Sequence, residues 1–167
     1  IGSLTGPAEA IHSEMSGGES FVLSFLPKED RFSREELLGA YAVGRGYEIQ
    51  RGSTQVGPHR DDLGLTVGGR EARAYGSQGQ QRTAAISLKL ATLGVMTDHL
   101  GAAPILLLDD VFSELDASRR SRMLETAATH TGQVVLTCTE AEQAGIKVLE
   151  SSTVFRVQSG VVHEEAR

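Results

Sequence analysis

Hydrophobic and polar positions follow two different patterns along the chain, and the change falls near residue 76. In the first stretch, Ser33 and Glu36 have the spacing of a helix-capping box, and Gly68-Gly69 separates two alternating segments as a hairpin turn would. The elements predicted here are a helix over Pro7–Met15, a strand over Phe21–Leu26, a helix running towards Arg51, and a hairpin of strands Asp62–Val67 and Arg70–Tyr75.

The second stretch alternates strands with helices. The elements predicted here are a helix over Gln80–His99, a strand over Ile105–Leu108, a helix over Ala117–His130, a strand over Val134–Thr137, and a closing hairpin of Thr153–Val157 and Val161–His163. The first helix has few charges and is expected to be largely buried. The first strand is uniformly apolar, as strands buried on both faces of a parallel sheet are. Strand, helix and strand at this spacing predict an α/β fold with a parallel sheet.

Composition narrows the class of protein. The 167 residues are 40% hydrophobic, which is enough for a buried core, and no apolar run approaches the ~20 residues of a membrane span. The single cysteine, Cys138, excludes an internal disulfide and suits a reducing cytoplasm. The net charge of −6 argues against a broad basic surface for nucleic acid. Because the chain begins with Ile1, we expect it to be a piece of a longer protein.

The most informative local pattern is the apolar run that ends in Asp109-Asp110. An acid at the carboxyl end of a parallel strand lies where ligands bind in such sheets. A carboxylate there can hold Mg²⁺, and a second acid beside it can orient or deprotonate a water molecule. Taken alone, an acidic turn after a buried strand is as often only a turn.

Two further segments stand in fixed order around the acids. Ser77-Gln78-Gly79-Gln80 lies at a helix start, where unpaired amides and the helix dipole favour an anion. Ser113-Glu114-Leu115-Asp116 follows the acid pair. Each segment also has an ordinary structural explanation, since Ser77 and Asp116 suit helix caps and Gly79 suits a turn.

Together these segments resemble a known family. Ser77–Gln80 looks like the signature motif of ABC ATPases, Asp109-Asp110 like the Walker B acid and the catalytic acid after it, and Ser113–Asp116 like the D-loop. Gly57–Leu63 and Asp109–Asp116 together resemble the RecF family of SMC-like ATPases. The resemblance runs from about Met15 to the end of the chain.

The resemblance implies an architecture. Residues 76–167 would be the C-terminal part of an ABC-type ATPase head, a parallel sheet flanked by helices. Residues 1–75 would be part of a helical and β second lobe with a connecting hairpin.

The resemblance also implies an activity. RecF proteins are cytoplasmic, bind ATP and Mg²⁺, dimerise on ATP, hydrolyse it slowly, bind DNA and act with the mediator RecR. By this resemblance Asp109 would serve Mg²⁺ and Asp110 would be the catalytic acid. The residues that would bind the nucleotide, in part across a dimer, are Ser77, Gln78, Gly79, Gln80 and Asp116.

The chain departs from the ABC pattern at three points. Asp110 stands where glutamate is usual and is one methylene shorter. Thr137-Cys138-Thr139 stands where a switch histidine is normally found. No Gly-x-x-x-x-Gly-Lys-Ser/Thr loop occurs anywhere in the sequence, so we expect the isolated chain to be inactive.

Three arginines, Arg119, Arg120 and Arg122, crowd the helix after the D-loop. They could meet phosphate or a partner subunit, although an exposed helix face often carries such charges.

Two other functions stay open from the sequence. One is a different ABC enzyme, such as a transporter subunit or another SMC-like head, although the switch histidine and the long heptads of those classes are absent. The other is a non-enzymatic interaction domain in which the acids only end a strand.

Overall fold

The computed structural model describes residues 1–28, 33–112 and 115–165. The helices in these ranges are α1 (Gly2–Ser16), α2 (Arg34–Arg51), α3 (Ala72–Tyr75), α4 (Gln78–Leu100), α5 (Ala117–His130) and α6 (Ile146–Glu150). The strands are β1 (Phe21–Leu26), β2 (Asp62–Val67), β3 (Arg70–Glu71), β4 (Ile105–Asp109), β5 (Gln133–Thr137), β6 (Phe155–Gln158) and β7 (Val161–Glu164). Short 3₁₀ turns occur at Pro58–Arg60 and Ala141–Ala144.

These strands form three small sheets. Strands β1, β2 and β3 make an antiparallel sheet in that order, and β6 pairs with β7 as an antiparallel hairpin. Strands β4 and β5 are parallel, with α5 as the crossover between them. The predicted mixed α/β class with a parallel pair is therefore confirmed.

Helix α4 lies at the centre of the packed part of the molecule. It packs against α1 on one side and α5 on another, and α1 also packs against β1. Leu90 of α4, Met15 of α1 and Met123 of α5 are at most 1% exposed. Aliphatic side chains and methionines thus fill the core, as expected from a chain with no tryptophan.

Helix α1 begins five residues earlier than predicted. The prediction placed Pro7 at the helix start, where proline is favoured, but Pro7 lies inside α1. Leu4 packs against the core and Ala8 is fully buried, so burial extends the helix across the proline.

The predicted strand Arg70–Tyr75 is wrong beyond Glu71. Only Arg70 and Glu71 pair with β2, and the chain then turns into α3. Ala72 lies in the core and is 2% exposed. The Gly76 amide donates a hydrogen bond to the Ala72 carbonyl oxygen, which closes the turn. Two alanines in this segment favour a helix, which outweighs the weak alternation.

The sequence pattern also predicted more burial for β4 and α4 than the structure shows. Leu106 and Leu108 of β4 are buried, but Ile105 and Leu107 are 59% and 70% exposed. All of the buried residues of α4 lie between Thr83 and Ala91. Helices cover only one face of the parallel pair within the described ranges, so the other apolar face is open.

Among the residues the structure describes, no helix is both long and apolar enough to span a membrane.

Candidate active site

The acid pair lies at the open end of the parallel pair of strands. Asp109 is the last residue of β4 and is in register with Thr137, the last residue of β5. Asp110 follows with a φ of 45°, a left-handed conformation that aspartate tolerates better than most residues. Both acids are exposed, as a ligand site at this edge requires.

The Thr137 hydroxyl connects the two acids. It donates to Oδ1 of Asp109 and accepts from the backbone N–H of Asp110 at 3.2 Å. The sequence pattern assigned Thr137 no role of its own, because it belongs to the segment that stands in place of the switch histidine. The signal that could have found it was the register, because parallel strands that end together place their last residues side by side.

Arg82 joins helix α4 to the same edge. Its Nη2 donates to the carbonyl oxygen of Asp110 at 3.1 Å. This contact, which no motif predicted, holds the backbone after β4 against the helix that begins with the signature segment.

The signature segment forms the first turn of α4. Ser77 is the N-cap: its hydroxyl accepts from the Gln80 amide at 3.2 Å, and Oε1 of Gln80 accepts from the Ser77 amide at 2.9 Å. The amides of Gln78 and Gly79, at the first two helical positions, have no acceptor within the helix. The first turn contains no acidic residue. This end of α4 therefore presents amides and the positive end of the helix dipole.

Asp116 is the N-cap of α5, as predicted. Its Oδ1 accepts from the Arg119 amide at 2.9 Å. That hydrogen bond, followed by the charge of the Arg119 side chain, lowers the pKa of Asp116 below its ordinary value. The other polar residues of the predicted D-loop, Ser113 and Glu114, lie outside the described residues.

The three arginines of α5 make contacts within the chain. Arg119 is 23% exposed and lies 3.8 Å from the carboxylate of Glu19. The Arg120 guanidinium lies 5.9 Å from the centre of the Phe112 ring, and the Arg122 guanidinium lies against Gly17. The Arg119 side chain in particular is mostly buried and lies against Glu19 of the same chain.

The predicted site residues thus fall into two groups. Asp109 and Asp110 are held with Thr137 and Arg82 at the sheet edge. Ser77 and Gln80 lie at the start of α4, with Asp116 linked to them through Arg119 and Glu19. Within the described residues, no hydrogen bond joins Ser77 to Asp109.

Comparison with known proteins gives a consistent answer, although no family model matches the chain. The DNA replication and repair protein RecF of Shouchella clausii is 40% identical over 163 residues, which are 93% of this chain and 44% of that protein. The protein of the same name from Chloroflexus aurantiacus is 40% identical over 170 residues, 97% of this chain and 43% of that protein. The chain spans less than half the length of the curated relatives it matches.

Comparison with solved structures points to the same family as the curated relatives do. A structure of the recombination mediator protein RecF-ATPrS in the RecFOR pathway covers 99% of this chain and 44% of its own, with 30% identity and a TM-score of 0.66. An Smc head bound to the C-winged helix domain of ScpA covers 98% of this chain, and 42% of its own, at a TM-score of 0.56 and 14% identity, which shows the fold alone. The chain thus matches the C-terminal half of RecF, the family that its motifs resemble.

Proposed function

We propose that this chain is the C-terminal part of an ABC-type ATPase of DNA repair that dimerises on ATP, hydrolyses it slowly and binds DNA in the closed dimer. The observation that carries the proposal is the pair of sites just described. An exposed acid pair is fixed at the edge of a parallel sheet, and a capped helix without acids in its first turn presents free amides.

The acid pair suits Mg²⁺ and water. Asp109 offers an exposed carboxylate whose orientation is set by the Thr137 hydroxyl, and Mg²⁺ in nucleotide sites is bound by one or two carboxylates together with phosphates. When bound, the metal would offset the charge of the phosphates. Asp110 is placed beside it to orient or deprotonate the attacking water, although its side chain is shorter than the usual glutamate.

The start of α4 suits the terminal phosphate of a nucleotide held by a second copy. The Ser77 hydroxyl and the amides of Gln78 and Gly79 are donors at the positive end of the helix dipole. Gln80 and Asp116 hold the first turns of α4 and α5 in place. Within one copy no hydrogen bond of the described residues joins Ser77 to Asp109, and we infer that the two groups meet one nucleotide only when two copies close on it.

The proposed partners are DNA, a second copy of the protein and a mediator similar to RecR. The RecF named in the solved structure is a recombination mediator of the RecFOR pathway, which supports this assignment. The net charge of −6 is reconciled with DNA if the binding surface is made by the closed dimer or by parts of the protein outside this chain.

The test uses the complete protein encoded by the gene. Asp110→Asn should bind ATP and dimerise but hydrolyse ATP roughly 10²-fold more slowly, because it loses the positioned base. Asp109→Asn should instead raise the Mg²⁺ concentration needed for activity. Asp98→Asn, an exposed acid near the far end of α4, is the matched control and should leave both properties unchanged.

Single-turnover hydrolysis and ATP-dependent dimer mass are measured for each variant. Hydrolysis by Asp110→Asn at the parental rate would remove the catalytic role of this acid. A parental protein that neither binds nor hydrolyses Mg²⁺-ATP would favour the non-enzymatic interaction domain.

A further inference from the structure

Glu19 connects two motifs that are far apart in sequence. It lies in the turn between α1 and β1, where its amide donates to the Ser16 hydroxyl at 3.0 Å. Its side chain is 24% exposed. Its Oε1 accepts a hydrogen bond from Nε2 of Gln80, and its Oε2 lies 3.8 Å from Nη2 of Arg119. One carboxylate thus contacts the first turn of α4 and the first turn of α5.

The contact with Gln80 fixes which way that side chain amide faces. An amide has one oxygen that accepts and one nitrogen that donates. Glu19 takes the nitrogen of Gln80, which leaves the oxygen to accept from the Ser77 amide at 2.9 Å. The capping box that orients the Ser77 hydroxyl is therefore completed from outside the helix by Glu19.

The contact with Arg119 extends the link to the D-loop end of α5. Arg119 Nε lies 3.5 Å from Oδ2 of Asp116, and its Nη1 lies 3.5 Å from the Thr83 hydroxyl on α4. One guanidinium is held between the carboxylates of Glu19 and Asp116. The positive charge of Arg119 also offsets the negative charge of Glu19, so the first turn of α4 remains favourable for an anion.

Behind this network the chain is closed off from solvent. His12 of α1 is fully buried, stacks on Phe21 with ring centres 4.6 Å apart, and lies 4.0 Å from Glu19. The Ser87 hydroxyl of α4 lies 3.5 Å from the other ring nitrogen of His12. Packing of α1 against α4 thus limits how far the Glu19 carboxylate can move.

We propose that Glu19 is a positioning residue that couples the signature segment at the start of α4 to the D-loop end of α5, so that the two move as one unit when ATP closes the dimer. This inference rests on the proposed function, because the coupling matters only if both motifs meet a nucleotide across two copies. Glu19 contacts no nucleotide itself and acts through Gln80 and Arg119.

The hydrogen bond between Glu19 and Gln80 can be broken without removing the helix cap. Gln80→Glu keeps an oxygen for the Ser77 amide, as glutamate does in the Ser33–Glu36 capping box of α2, but places two carboxylates against each other. Adding Glu19→Gln reverses the pair, since the new amide can donate to the new carboxylate. Glu14→Gln removes a nearby exposed charge on α1 and is the matched control.

The experiment is a double-variant cycle in the complete protein. For each variant, the ATP affinity of the monomer is measured first, and dimer mass is then compared at equal ATP occupancy. Gln80→Glu should weaken dimerisation about tenfold, a typical coupling for residues in one network, and the reversed pair should recover to within about threefold of the parent. Glu14→Gln should match the parent. Thermal unfolding of each variant records any change in stability alone.

The outcomes separate the two proposals. If Gln80→Glu dimerises like the parent, or if the reversed pair recovers nothing, Glu19 does not couple the motifs, whereas the proposed function stands. If the parent itself stays monomeric with Mg²⁺-ATP, the proposed function falls and this inference falls with it.

Discussion

Helices α2 and α4 begin in the same way but lie in different surroundings. In both, a serine N-cap accepts from the amide three residues on, and the residue there returns a bond to the serine amide: Ser33 with Glu36 in α2, Ser77 with Gln80 in α4. The side chain and backbone chemistry of the two caps is nearly identical. A capping box therefore marks where each helix starts but says nothing about its role.

The surroundings of the two caps differ. The first turn of α2 carries Glu35 and Glu36, and no residue of this helix is buried. The first turn of α4 carries no acid, its body is buried from Thr83 to Ala91, and its capping Gln80 is held by Glu19. In α2 the acids offset the helix dipole within the helix itself, whereas no acid of the α4 first turn does so.

The largest expected effect follows from the difference in burial. Leu90→Ala in α4 should reduce the free energy of unfolding by about 2–5 kcal/mol, because it leaves a cavity at a fully buried site. Val43→Ala in α2 truncates a side chain that is 90% exposed and should change the free energy of unfolding by less than about 0.5 kcal/mol. Urea unfolding of both variants measures the contrast, and equal losses would contradict the burial assigned to α2.

Much of the fold could be predicted because its signals are local. The capping box of α2, the Ser77 cap of α4, the glycine hairpin after β2 and the apolar run ending in Asp109 each depend on a few neighbouring residues. The errors arose where tertiary packing outweighed local pattern. Ala72 is drawn into the core and ends β3 early, and burial carries α1 through Pro7.

The contacts that complete the candidate site could not be predicted in the same way. Thr137 reaches Asp109 only because β4 and β5 are adjacent and in register, and Glu19 reaches Gln80 across 61 positions of sequence. The strand register marks the first contact only once β4 and β5 are known to be neighbours, and no spacing or residue pattern marks the second. The individual roles of the site residues and the division into two lobes at residue 76 stay predictions.

A smaller expected effect is a pH dependence of stability that arises beside α4 and not in α2. Burial lowers the pKa of His12, which packs against α4, below its ordinary 6.5; the nearby Glu19 opposes this shift and Arg119 adds to it. As pH falls below about 6.5 the unfolded chain takes up a proton that the folded chain resists, so stability is lost until the folded pKa is reached. Urea unfolding from pH 8 to pH 5 should show this slope.

His12→Gln should lose that part of the slope, because no imidazole remains to titrate. An unchanged slope in this variant would mean that the pH dependence has another origin.

The two helix starts should differ most in nucleotide binding: we propose that the start of α4 meets a nucleotide across a dimer and that the start of α2 does not. Ser77→Arg places a bulky side chain at that surface, and Ser33→Arg removes the equivalent cap from α2, so the two variants lose the same local hydrogen bond. Each cap removal should cost about 1 kcal/mol of stability.

The decisive measurement is the mass of the complete protein with Mg²⁺-ATP, compared with the ATP affinity of the monomer. We expect Ser77→Arg to bind ATP as a monomer and fail to dimerise, while Ser33→Arg dimerises like the parent. Dimerisation of Ser77→Arg at the parental level would mean that Ser77 is only a helix cap and that the start of α4 meets no nucleotide across a dimer.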